Sequence, residues 1–387
     1  MKTYLNILIL LCSATVAAQT ALYNKGNLRI HEGGMLGFHT NLVNDSPFDT
    51  NLGLAGFYGT QALTVSGTLT PQFYDMEIAV DNDLQLAVGI DNSNNTNFIL
   101  GSIRTPLAQP GVYYNFLENS FYNGEGDLTK IEGYAAITGQ QNFIFPVGDR
   151  TYIRPLILNS ERMNLFAKSA YFLENPSNPN SLSGAFDTFE VALDVAYVSD
   201  VEFWRLEGSL PSTVTLSWNE RSDMARFTDD ASKIVIVGWS KLSRRWLNLA
   251  GSVPIGSLTD GFVSSETFVP DEYEIITLGV SKIPYEPLSR EVLSLDNYFV
   301  SVNGDGVNDS FFIQELEQYD RNVVQIYDRY GIKVFEKENY TDEFVGFSNQ
   351  NNIPFGSEKG LPIGVYFYTI SIPEENLNYQ GFLYLAR

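Results

Sequence analysis

Cysteine is nearly missing from this sequence: of 387 residues only Cys12 is one, inside an apolar N-terminal run. If cleavage follows Ala18, the mature chain has none, and disulfides, thiolate metal sites and cysteine nucleophiles drop out together. Lipoprotein acylation of Cys12 wants a small residue before it, and Leu11 stands there. Histidine is almost as scarce. His31 and His39 would offer two zinc ligands from one strand face, where a catalytic zinc takes three protein ligands. Positive charge is also short, with 24 Lys and Arg against 46 Asp and Glu and a net charge of −22. Such a surface repels phosphate backbones and anionic lipid, which argues against nucleic-acid binding. Long hydrophobic runs are confined to the start. Lys2, the apolar stretch Tyr4 to Val16, and Val16-Ala17-Ala18 before Gln19 read as a signal peptide over residues 1–18. That run is too short to span a bilayer and no later one approaches its length, so the mature chain is expected to have no transmembrane segment. Gly-x-Ser-x-Gly, P-loop and dinucleotide fingerprints do not occur either.

What is abundant is aromatic: 26 Phe, 22 Tyr and 4 Trp. These residues pack well on pleated surfaces and point to an all-β, multidomain chain, since 387 residues exceed one ordinary core. Residues 19–140 are short apolar runs broken by Asn, Gly and Asp. Leu28–Ile30, Met35–Phe38, Leu63–Val65, Met76–Val80 and Leu84–Val88 read as strands, with turns at Asn82-Asp83 and Asp91 to Asn95. The spacing fits either a small β-solenoid or a sandwich, and no fixed repeat period emerges. In residues 141–285 the strands lengthen and alternate, as in Val214-Thr215-Leu216-Ser217-Trp218. Phe143–Val147, Ile153–Leu158, Phe189–Val198, Ile234–Trp239, Trp246–Leu249 and Tyr273–Leu278 complete a set that fits an immunoglobulin-like β-sandwich. Pro284 and Pro287 mark a linker, taken as residues 286–292.

Residues 293–387 form a third compact unit. Val323–Tyr327 and Lys333–Phe335 flank Asp328-Arg329-Tyr330-Gly331, a hairpin in which Gly331 supplies the positive φ. The order of motifs here is specific. Asn303-Gly304-Asp305-Gly306-Val307-Asn308-Asp309 comes first, then Val324 to Gly331, then Val334-Phe335-Glu336 with Asn339-Tyr340. Leu361-Pro362-Ile363-Gly364-Val365-Tyr366-Phe367-Tyr368 and the terminal Gly381 to Arg387 follow. Together they resemble the gliding motility-associated C-terminal domain of Bacteroidetes cell-surface proteins, the type B sorting domain of the type IX secretion system. Val302, Tyr330 and Phe344 stand where that family more often has Pro, Trp and Trp. The resemblance implies a small β-sandwich and export through the type IX translocon to the cell surface. It also implies partners of two kinds: a PorP/SprF-type outer-membrane barrel and a large surface adhesin.

Within this unit the sorting motif is carried by Asn303, Gly304, Asp305, Gly306, Asn308, Asp309, Asp328, Arg329, Tyr330, Gly331, Leu361, Pro362, Gly364 and Tyr366. Asn303, Asp305, Asn308 and Asp309 gather four oxygen-bearing side chains, a donor type that suits calcium. The loop is not an EF-hand, because Gly306 falls at its fourth position and Gln314 at its twelfth; the alternative is a turn whose Asx side chains cap backbone amides. No other cofactor and no catalytic residue is indicated. Lys241 to Trp246, with Arg244 and Arg245, is the one local basic patch and is expected to tip a hairpin. The functional expectation is a non-enzymatic component of gliding or adhesion machinery. The alternative is a secreted carbohydrate-active or degradative enzyme bearing the same export label.

Overall fold

A computed structural model describes residues 20–249, 251–252, 254–283, 298–304, 308–313, 316, 319, 321–350, 360–374 and 377–386. The expected signal peptide and the 286–292 linker lie outside them. The chain is all-β, and its described strands form four sheets.

The first region is a parallel β-solenoid. Each coil contributes one strand to a six-stranded sheet and one to a larger facing sheet. In the smaller sheet Leu42 pairs with Val65, and Val65 with Leu86. In the larger, Phe38 pairs with Phe57, Phe57 with Ile78, and Ile78 with Phe98. Every one of these side chains is buried, so each coil closes the core of the one before it. Phe38 and Phe57 stack with ring centroids 4.6 Å apart. Buried asparagines form the polar counterpart. Asn24 donates to Asn44 Oδ1 at 2.7 Å, and Asn44 donates to the Leu69 carbonyl at 2.8 Å, so the corner is buried with its amides satisfied.

Two local expectations give way here. Asp91 to Asn95 is not a turn; it lies inside the strand Ile90–Leu100. Polar side chains hold that strand between its neighbours. Asn94 donates to Asp75 Oδ1 at 2.7 Å, Asn115 to Asp91 Oδ1 at 2.9 Å and Asn123 to Asn95 Oδ1 at 2.9 Å. Leu28–Ile30 is not a strand, because the Ile30 amide donates to the Asn51 side chain at 2.6 Å instead of to a neighbouring backbone.

No gap separates the solenoid from the sandwich. The strand Ala135–Ile137 pairs in parallel with Tyr114–Phe116 and antiparallel with Ala167–Phe172, so one sheet of 13 strands crosses position 140. A second sheet, built from Gln140–Phe145, Leu156–Asn164, Ser212–Trp218, Gly261–Ser264 and Ile255–Gly256, covers the antiparallel half. One hydrophobic core runs through both regions, from Ile30 to Val280. Of the expected strand Phe189–Val198, only Val195–Val198 pairs as one. Inside the sandwich an ion pair is enclosed. Arg154 Nη2 lies 2.6 Å from Glu202 Oε1, and both side chains are buried. Tyr171 and Ser222 each donate to Glu202 at 2.6 Å, and Arg154 also donates to the Ser217 carbonyl at 2.8 Å. Pairing and complete hydrogen bonding make such a buried charge tolerable.

The C-terminal unit is a five-stranded sheet. From one edge to the other it runs Tyr298–Ser301, Leu377–Ala386, Gly364–Ile372, Val323–Tyr327 and Lys333–Glu338. Only the first pair is parallel. Period-2 alternation divides its faces. Val324, Ile326, Tyr368 and Ile370 face a core closed by Phe311, Ile313 and Leu316. Phe344 is fully buried in that core, 5.2 Å ring to ring from Phe335. Tyr327 and Phe367 point the other way, toward the sandwich.

Candidate functional site at the junction of body and C-terminal domain

Phe262, on the sandwich strand Gly261–Ser264, anchors the junction. Its ring sits 5.2 Å from Tyr327 and 5.6 Å from Phe367. The hairpin Asp328 to Gly331 lies directly against it. Gly331 has φ 85°, as the hairpin turn requires, and a Cβ placed there would come within 2.8 Å of Phe262 Cγ and 3.0 Å of Thr215 Cγ2. Glycine is therefore demanded twice, by the backbone and by the neighbouring domain. On the strand next to that of Phe367, Gln380 donates to the Pro254 carbonyl at 3.3 Å.

Asp328 orders the loop from within. Its Oδ1 accepts from the Tyr330 and Ile332 amides, both at 2.9 Å, while its carbonyl accepts from Gly331 at 3.0 Å. The Arg329 guanidinium lies 4.7 Å from the centroid of the Tyr330 ring, hydrogen-bonds its hydroxyl, and reaches Asp127 of the body at 4.0 Å. Leu361 is buried and donates its amide to Gly346 at 2.8 Å; the Tyr366 hydroxyl donates to the Pro362 carbonyl at 2.8 Å. Both motifs, with Gly364 between Pro362 and Tyr366, line one cavity of about 440 Å³ against the body.

The body's wall of that cavity is apolar, with Ile144, Ile153 and Pro155, except for Tyr122, Glu125 and Asp260. The Tyr122 hydroxyl donates to the Ile144 carbonyl at 2.6 Å, and burial pushes its pKa well up. Glu125 Oε2 is buried and has no hydrogen-bond partner. Desolvation lifts the Glu125 carboxyl to about 7, against a hydrogen bond from its own amide, and the negative charge of Asp328 lifts it further. Asp328 rises to about 6, also through desolvation, while the amides of Ile332, Tyr330 and Gly331 and the charge of Arg329 hold it down.

The other predicted motif stands apart from this cavity. Asp309 Oδ1 accepts the Gly304 amide at 2.8 Å and the Asn303 amide at 3.1 Å, the geometry of a capped turn. Asn308 takes φ 56° and its carbonyl accepts from Ser301 at 2.7 Å. Asp305 and Gly306 lie outside the described residues. A calcium ion would therefore draw on a carboxylate, Asp309, that already holds two amides.

Residues 293–385 match the CHU_C type IX secretion signal domain. This segment is a type IX sorting domain. The match takes in all three motifs, at Asn303 to Asp309, Asp328 to Gly331 and Leu361 to Tyr366. No curated protein and no solved structure matches the chain. The sorting domain marks the chain as cargo of the type IX machinery, exported across the outer membrane to the cell surface. Among the described residues, no helix is long and apolar enough to cross a membrane. Sequence reasoning singled out the motif side of the junction and missed the body side. Tyr122, Glu125, Asp260 and Phe262 meet it only through contacts far apart in the chain, and no local pattern marks them.

Proposed function

We propose that the mature chain is a non-enzymatic surface component of gliding or adhesion machinery, with the body as the displayed part and the sorting domain as its export label. The type IX sorting domain carries this reading. Support comes from apolar side chains presented at one end of the sandwich. Leu242 is 96% exposed at the tip between the strands Ile234–Ser240 and Trp246–Asn248, beside Arg244 and Arg245. Phe189 at 89% and Leu193 at 93% flank Val191 and Ala192, which bond along Trp246 of the same hairpin. Exposed apolar side chains that join into one patch mark surfaces that meet a partner, and we take these three as such a patch around Trp246. A PorP/SprF-type barrel and a larger adhesin are the partners we assign to them, and the mature chain needs no cofactor for this role.

The test is to substitute Phe189, Leu193 and Leu242 together by Ser in the native host. Surface display, read by antibody on intact cells, should persist while spreading or adhesion falls. Normal spreading and adhesion with the triple variant displayed would overturn the assignment of this surface. A lost hydrolytic activity in a deletion strain that still moves and adheres would overturn the role itself.

A further inference from the structure

The junction half-buries two acids side by side, and encloses Oε2 of one of them. Glu125 on the body and Asp328 on the sorting-domain hairpin line the same mostly apolar cavity. The other charged or titratable groups on its walls are Asp260 and Tyr122 of the body and Arg329, Tyr330 and Tyr366 of the sorting domain. Arg329 is the single cation among them, and it is engaged with the Tyr330 hydroxyl and Asp127. Asp328 spends Oδ1 on its own loop, so it has reason to stay where it is. Glu125 Oε2 has no hydrogen-bond partner, so within the closed junction only the Glu125 amide offsets the charge of this carboxylate.

We propose that this junction is an acid-dependent latch: protonation at the Glu125–Asp328 pair holds the sorting domain on the body, and ionisation of both releases it. Release opens to water the cavity wall formed by Asp328, Tyr330, Leu361 and Tyr366, which faces the body in the closed junction. The sign follows from linkage. Both acids titrate higher in the closed junction than in water, at about 7 for Glu125 and about 6 for Asp328. The closed state thus binds more protons, its advantage is complete below the ordinary carboxylate range, and it is lost as pH rises through 6 to 7. From pH 5.5 to 8.5 the ratio of closed to open should fall about tenfold or more.

The mature chain without its signal peptide has no cysteine, so Leu165→Cys on the body and Arg321→Cys on the sorting domain give two unique labels. Both native side chains are exposed, at 88% and 76%. Spin labels there report the inter-domain distance in the full mature chain by pulsed electron resonance. The latch predicts one closed distance at pH 5.5 and a growing longer population at pH 8.5, with a much smaller change in Glu125→Gln, where Asp328 alone titrates across the range. Adding Phe262→Ala weakens the apolar anchor, raises the open fraction at every pH and keeps the same pH slope. Distances independent of pH in both the parent and the Phe262→Ala background, or a Glu125→Gln chain that opens like the parent, would overturn the proposal.

Discussion

Replacing Gly331 by Ala tests whether the sorting domain is packed on the body or merely tethered to it. At φ 85° an alanine pays the left-handed backbone penalty of about 1 kcal/mol. Its Cβ would also sit 2.8 Å from Phe262 Cγ, 2.9 Å from Cδ2 and 3.0 Å from Thr215 Cγ2, so ring or hairpin must shift. Overpacking of this kind costs about 1–2 kcal/mol more. Gly304 is the internal control: its φ is 77°, and nothing described lies within 4 Å of its Cβ position, so Gly304→Ala should cost about 1 kcal/mol. Hydrogen–deuterium exchange over residues 323–338 reads the difference. Gly331→Ala should speed the slowest amides of that hairpin about 30- to 150-fold, which corresponds to about 2–3 kcal/mol. In a Phe262→Ala chain only the Thr215 methyl, at 3.0 Å, remains in the way, and Gly331→Ala should then cost little more than about 1 kcal/mol, leaving about 1 kcal/mol of coupling. Equal costs at Gly331 and Gly304, or a Gly331→Ala effect unchanged by Phe262→Ala, would refute the packed junction.

Three further outcomes follow from the body and the motif loop. Arg154→Met strands Glu202 in the core and should destabilise the sandwich by about 3–5 kcal/mol, whereas Arg154→Met with Glu202→Leu should recover most of it. Tryptophan fluorescence during urea unfolding reports this directly, because Trp204 donates to the Arg154 carbonyl at 2.9 Å and all four tryptophans belong to the sandwich. Asn44→Ala removes the side-chain donor to the Leu69 carbonyl and one of the three acceptors of the Asn24 amide, which keeps the Ser46 and Pro47 carbonyls, and should cost about 1–2 kcal/mol, seen as a lowered urea midpoint. Asp309→Ala removes the acceptor shared by the Gly304 and Asn303 amides, leaving Asn303 its bond to the Ser301 carbonyl, and should raise exchange in residues 298–304 by about tenfold, with Asp309→Asn recovering much of the protection.

Legibility differed along the chain for physical reasons. Sandwich and sorting-domain strands such as Val214–Trp218 and Val323–Tyr327 show in the sequence because apolar and polar residues alternate plainly, although Val214 to Trp218 is buried on both faces, with Thr215 against the sorting domain and Ser217 accepting from Arg154. The solenoid hides its period because its coils differ in length. Met35 pairs with Leu54 19 residues on, Leu42 with Val65 23 on, and Ile103 with Ile131 28 on. Stacking demands that inward side chains coincide, not that the loops between them match. The strand Ile90–Leu100 carries Asn where alternation expects apolar residues, since amide side chains bonded to neighbouring coils fix it. The DRYG and LPIG motifs were legible as sequence, but their shared cavity was not. Their facing partners, Glu125 and Phe262, lie far upstream, and only the folded sheet brings them within reach.

The export role of residues 293–387 decides where the body is displayed. It is tested most directly by removing those residues in the native host and locating the truncated chain by cell fractionation and antibody labelling of intact cells. Folded truncated protein should accumulate in the periplasm, and a fusion of residues 293–387 to a foreign exported protein should appear at the surface. Surface labelling of the truncated chain at the level of the intact one would contradict the account.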